Sequence, residues 1–328
     1  MNLCIITPEN AALPKMGAAS TAPWYLAAAL ERRGHQVELQ YSDGDQAVAL
    51  CEGTIGSVEP SSIAGHDGFD AVIASRHVWL AHKAKAPRKF VWLVDQFGHE
   101  VNDWTGKFVD VQIVAWTKFI AGVIEPLRAA DHVIPCGVPD HLFGFPIYPG
   151  AGCYTSCMWC NGRRVEAAIQ AVRLARETAP RVTLDVFGDE TLWAGKHETY
   201  GTMLDRMIKE TAGVMHGGCL TQEHMFDILE HRDILIHPTT FETQGMAVCQ
   251  AMAAGNPVVT TSAGSLPELG MVNPLFSQHC HPATLAEEIV KLATDASYYR
   301  SIAEGNRLAA ERFRWSKVAE EWEALCAS

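Results

Sequence analysis

Glu242 stands inside the run HPTTFETQGMAVCQAMAAGNPVVTTSAGSLPEL, which extends from His237 to Leu269, with seven residues between it and Gln250. A carboxylate in the turn between a strand and a helix accepts hydrogen bonds from vicinal hydroxyls. The unpaired N–H groups and positive end of the helix that follows suit a diphosphate or sugar oxygens. Gly245 is placed to open that helix, and Gly255 with Pro257 to stop it and launch the next strand. Thr243, Gln244 and Met246 share the turn, which reads as exposed, and are candidate ligand contacts with Gly245, while Gln250 offers an uncharged amide to a hydroxyl. Upstream, Arg163 and Arg164 carry the positive charge that a leaving anion requires.

A second group with chemistry is CYTSCMWC, where Cys153, Cys157 and Cys160 have the spacing C-x3-C-x2-C. Three thiolates on a short loop can hold three irons of a cubane cluster, and the spacing resembles that of radical S-adenosylmethionine enzymes. The motif lies midway along the chain, on the strand and loop that open its second half. Asp43 and Asp45 in YSDGD read as a surface turn, so no metal site is expected there.

The elements that must position these groups alternate. Short apolar runs at Leu3–Thr7, Val37–Tyr41, Asp70–Ser75, Phe90–Val94 and Val111–Ala115 read as buried strands, with a helix at Pro23–Arg33 stopped by Gly34. Around Phe143–Gly152, the segment FGFPIYPGAG lacks periodicity and reads as a linker. The beat then restarts: strand Cys153–Ser156, helix Val165–Glu177, strand Val182–Phe187, helix Gln222–Glu230, strand Ile234–His237, helix Ala247–Ala254 and strand Pro257–Thr261. Strands joined by crossover helices give two doubly wound parallel sheets, which bind ligands at their strand C-termini.

Composition narrows the class. The chain has 328 residues, 48% of them hydrophobic, enough for two domains. With 38 acidic against 26 basic residues its net charge is -12, the wrong sign for a general nucleic-acid binder. The opening MNLCIITPEN lacks signal-peptide character and no run approaches a membrane span, so a cytoplasmic location is expected. Ten cysteines in a chain this long are expected to be mostly reduced thiols.

The stretch His237–Leu269 resembles the donor-site signature of GT-B glycosyltransferases of family 4 (glycosyl transferases group 1), in which two acidic residues flank seven others before an EAMAxGxPVV segment. Glu242 takes the first acidic position, and Gln250 replaces the second, which commonly holds the nucleotide ribose. RRGHQVELQY, VIPCGVPDHLF and the closing ERFRWSKVAEEWEAL resemble further segments of these enzymes, so that the likeness covers most of the chain. It implies two Rossmann-like domains facing a cleft: an N-terminal acceptor domain over residues 1–146, a nucleotide-sugar domain over 147–305, and a C-terminal helix, 306–328, returning to the first.

The resemblance also assigns roles. Arg163 falls on the family's diphosphate-binding lysine, with Arg164 beside it, while the upstream arginine position holds Cys157 or Met158. Gly17 in PKMGAAS is what remains of a glycine pair facing phosphate. In VWLVDQFGHE, Val94 replaces a histidine near the reacting sugar, leaving Asp95 and His99 to orient an acceptor. Gly188 and His216, after two strands of the second domain, lie where relatives recognise the base. The activity implied is retaining, hexosyltransferase-like transfer from a nucleotide-sugar, with a UDP-sugar favoured. The acceptor hydroxyl would belong to a small molecule, lipid, glycan or modified DNA base, and neither cofactor nor metal is expected. Two alternatives stand beside it: an iron–sulfur enzyme using the three cysteines, and an inactive GT-B domain that binds a sugar nucleotide or assembles with partners.

Overall fold

The computed structural model describes residues 1–7, 18–43, 46–51, 54–58, 68–76, 78–94, 108–188 and 198–328. They form two compact units, one made of Met1–Gly137 with Phe313–Ser328, the other of Val138–Arg312.

In the first unit the order is β1 (Asn2–Thr7), α1 (Ala18–Arg32), β2 (Gln36–Asp43), β3 (Gln46–Cys51), β4 (Thr54–Val58), β5 (Ala71–Ser75), α2 (Val78–Lys83), β6 (Arg88–Leu93), β7 (Gln112–Ala115), α3 (Lys118–Ile124) and β8 (His132–Val133). The sheet runs β4-β3-β2-β1-β5-β6-β7-β8. From β2 to β8 its pairings are parallel, and β1 and β5 are buried on both faces, which is why their sequences run apolar without alternation. The β3–β4 hairpin extends the sheet antiparallel and was not expected. Helix α1 starts at Ala18 rather than Pro23, so the proline lies within it.

The C-terminal helix, Trp315–Ala327, completes this unit. Its Trp322 is fully buried, edge-on to Phe90 and to Trp92 at ring distances of 5.8 and 5.5 Å. Trp315 lies on Gly137, where a Cβ would come within 2.4 Å of the indole. Arg33 forms ion pairs with Glu320 and Glu323 at the rim.

In the second unit, β9 (Gly152–Ser156), α4 (Val165–Thr178), β10 (Thr183–Phe187), α5 (Glu198–Glu210), β11 (Val214–Gly218), α6 (Gln222–His231), β12 (Ile234–His237), α7 (Met246–Ala254), β13 (Val258–Thr261), β14 (Leu275–Phe276), α8 (Pro282–Thr294) and α9 (Ala296–Ala310) follow one another. The sheet order β11-β10-β9-β12-β13-β14, parallel throughout, places the crossover between β9 and β12 at its centre. Such a reversal of strand order opens a crevice at the carboxyl ends of the two strands.

The unit boundaries fall at 137/138 and 312/313 instead of the expected 146 and 305. Residues read as linker are part of the second unit, because the 3-10 helix Asp140–Gly144 buries Leu142 and Phe143 and packs on α7. At the other end, buried Asn306 accepts from the Val272 N–H at 2.9 Å and donates to Asn273 at 2.7 Å, holding α9 in the unit past residue 305. No helix among the described residues is long and apolar enough to cross a membrane.

Candidate active site

The site is built at the central crossover. Strand β12 delivers His237, a loop follows, and Gly245 in the left-handed region (φ 76°) turns the chain into α7. A side chain at 245 would meet Leu266 at 2.8 Å as well as strain the backbone, so glycine is required twice over. The loop folds back on the Gly264–Leu266 turn: the Ser265 N–H donates to the Glu242 carbonyl at 3.1 Å. Glu242, expected at an exposed turn, is therefore buried, at 6% exposure.

Its carboxylate is not solvated but bonded. Oε1 forms an ion pair with the Arg163 guanidinium and accepts from His237 Nε2 at 2.9 Å. Oε2 accepts no hydrogen bond among the described residues. Arg163 reaches this point from the 3-10 turn Asn161–Arg163 at the end of β9, and its Nη1 also donates to the Phe241 carbonyl at 3.3 Å. The two loops are stitched together by the Thr240 N–H, which donates to the Gly162 carbonyl at 2.8 Å. Burial first, and then the charge of Arg163, push His237 down to about 3, so the ring is neutral and Nε2 carries its proton toward the carboxylate.

The adjacent Arg164 takes another course. It occupies the left-handed region (φ 49°) and caps α4, and its guanidinium donates to the carbonyls of Gln278 and Cys280. It braces a loop, whereas Arg163 meets Glu242. Gln244, expected to face the ligand, is 1% exposed and turned inward against Cys249. Thr243, Met246 and Gln250 are half-buried, and Gln250 has no side-chain partner among the described residues.

A second cluster forms where β9, β10 and β11 end. A Cβ at Gly188 would lie 1.9 Å from the Cys157 carbonyl oxygen. His216 faces the buried ring of Trp159 at 4.8 Å, with Nε2 3.2 Å from the Gly188 carbonyl. His216 thus already packs on an aromatic ring of its own chain. Gly17, Asp95 and His99 lie outside the described residues.

The three cysteines do not converge as a ligand set. Cys153 is buried in β9, within the core, and burial raises its thiol, while burial pushes Cys157 up to about 11. Among the described residues no group of three His, Cys, Asp or Glu side chains is arranged to hold a metal. The residue that sequence reasoning missed is His237. The only signal was its place, at the end of a strand five residues before the glutamate.

Residues 152–295 match the sequence model of the family described as glycosyl transferases group 1. The likeness to that family is carried by this part of the chain, and the fold is that of GT-B enzymes. D-inositol 3-phosphate glycosyltransferase of Streptomyces bingchenggensis is 31% identical over 102 residues, 30% of this chain and 22% of that protein. Glycogen synthase of Mycobacterium tuberculosis is 31% identical over 166 residues, 47% and 37% of the two chains. The match thus spans well under half the length of these curated relatives. Among solved structures, HepE of Anabaena in complex with UDP and glucose aligns over 100% of both chains with a TM-score of 0.74 at 17% identity. WaaG, a glycosyltransferase involved in lipopolysaccharide biosynthesis, aligns over 100% and 99% with a TM-score of 0.69 at 13% identity.

Proposed function

We propose that the protein is a retaining glycosyltransferase that takes a hexosyl group from a nucleoside-diphosphate sugar, with UDP the favoured nucleotide. The observation that carries this reading is the meeting of Arg163 and Glu242 at the ends of β9 and β12, inside the part of the chain that matches the family. The likeness to HepE, whose structure holds UDP and glucose, favours the uridine nucleotide.

In this reading Arg163 stabilises the charge that develops on the departing diphosphate, and Glu242 accepts hydrogen bonds from hydroxyls of the transferred sugar. Retention then needs no protein nucleophile, since the leaving phosphate oxygen takes the proton of the acceptor hydroxyl on the face it leaves. The protein's work is positioning. Gln250 takes the ribose, Gly188 and His216 border the base, Gly17 faces the donor phosphate, and the N-terminal unit receives the acceptor, with Asp95 and His99 as its candidate contacts. Transfer requires no metal.

The test begins with the shift in melting temperature given by uridine, guanosine and adenosine diphosphates. It then follows hydrolysis or transfer of the matching sugar nucleotide with and without EDTA, reading the anomeric configuration of the product by NMR. A UDP-sugar consumed with retention, insensitive to EDTA, is the expected result. Binding of the nucleotide without turnover on any acceptor would instead identify a sugar-nucleotide binding module, and binding of none would remove the reading.

A further inference from the structure

Glu242 Oε1 takes two donors and Oε2 takes none, and this asymmetry has a cause in the sequence. A guanidinium facing a carboxylate ordinarily pairs with both oxygens in a fork, which would consume the whole carboxylate and much of the arginine. Here Arg163 meets Oε1, the oxygen that His237 also holds from the strand side at 2.9 Å. Arg163 is left bonded through Nη1, and its Nε and Nη2 carry no hydrogen bond among the described residues.

The histidine itself is held firmly. It is 3% exposed, at the end of β12, and its carbonyl accepts from the Thr260 hydroxyl at 2.7 Å and from the Thr239 N–H at 2.9 Å. A carboxylate has no proton to give, so the ring must present Nε2–H to it. A neutral donor suits the place, because it orients the carboxylate without adding a second cation that would compete with Arg163 for its charge.

We propose that His237 is a positioning residue of the transfer site, fixing Glu242 Oε1 so that Oε2 remains the acceptor for a sugar hydroxyl. This rests on the glycosyltransferase reading of the site, and goes beyond it in assigning a role to a side chain that touches neither sugar nor phosphate.

Two variants separate positioning from packing. His237→Leu fills the space but donates nothing, whereas His237→Gln restores an N–H near the position of Nε2. In His237→Leu, UDP affinity is expected to stay within about twofold while kcat falls by about tenfold or more, the scale on which small misplacements act. In His237→Gln most of kcat should return at a melting temperature equal to that of His237→Leu. Wild-type kcat in His237→Leu, or equal loss in both variants, would overturn the assignment. A readout independent of turnover keeps the two claims apart. In the imidazole 15N spectrum of the full chain, His237 should be an Nε2–H tautomer whose resonance moves in Glu242→Gln. If that signature is present and no sugar nucleotide is turned over, the transfer reading fails and the pair stands. If the ring is the Nδ1–H tautomer, or is indifferent to Glu242, the positioning role fails whatever the activity.

Discussion

Gly264 lies so close to Glu242 that a Cβ on it would come within 2.0 Å of the Glu242 carbonyl oxygen, and its φ of 55° is in the left-handed region. The loop bearing the carboxylate therefore rests on a position that tolerates no side chain. Gly264→Ala combines left-handed strain with a backbone collision and is expected to cost about 2–4 kcal/mol. Urea denaturation would measure it. The same variant should lose transfer activity out of proportion to the fraction unfolded, because relieving the collision moves Glu242.

Glu242→Gln keeps the shape of the side chain and removes its charge. Arg163 then loses its ion pair but stays partly solvated, its side chain being 27% exposed, so the stability cost should be moderate, about 1–3 kcal/mol. Turnover should fall by on the order of a hundredfold or more, the scale seen when a charge-stabilising group is removed. Measuring melting temperature and kcat on one preparation separates the two effects. Turnover equal to wild type would take the carboxylate out of the site.

The neutral, buried His237 predicts a pH signature. In the unfolded chain the ring binds a proton below about 6.5, whereas in the folded chain it remains neutral down to about 3. Between these values the unfolded state holds more protons, so stability from this residue falls as pH falls, by up to about 1.4 kcal/mol per unit. His237→Gln lacks the titration. Its stability deficit at pH 7 should shrink steadily on acidification below 6.5, and guanidinium titrations at several pH values would follow it. A deficit independent of pH would mean that the ring takes up its proton as readily in the folded chain as in the unfolded one.

Gln250 occupies the family's second acidic position without a charge and without a partner among the described residues. Restoring the charge with Gln250→Glu should tighten binding of UDP and of the full donor alike by about 1 kcal/mol, roughly fivefold. Calorimetric titration against uridine, guanosine and adenosine diphosphates would test this and identify the base. Unchanged affinity for all three would place Gln250 away from a ribose.

The parts of this architecture visible in the sequence are those set by local pattern. Unbroken apolar strands such as Ile234–His237, and the glycines at 245 and 255, marked out the strand–turn–helix that carries Glu242. The burial of Glu242 was not visible, because it depends on the Gly264 turn folding over it from more than twenty residues away. Arg163 and Arg164 are neighbours in sequence, and only the left-handed backbone of the second sends their guanidinium groups to different partners. The β3–β4 hairpin escaped for another reason: the expected beat joins strands through helices, and these two strands add to the sheet edge antiparallel with no helix between them.

The helix Trp315–Ala327 gives the fold a schedule during translation. The rings of Phe90 and Trp92 leave the ribosome early, but Trp322, which covers both, leaves only after Val138–Arg312 has been made. At about 5–20 residues per second that interval is roughly 10–35 s, during which the first sheet waits with part of its core open. The second unit, continuous in sequence, is complete at Arg312 and does not need the last helix. A chain truncated after Arg312 and released should therefore bind chaperones through its N-terminal half while its C-terminal half resists protease.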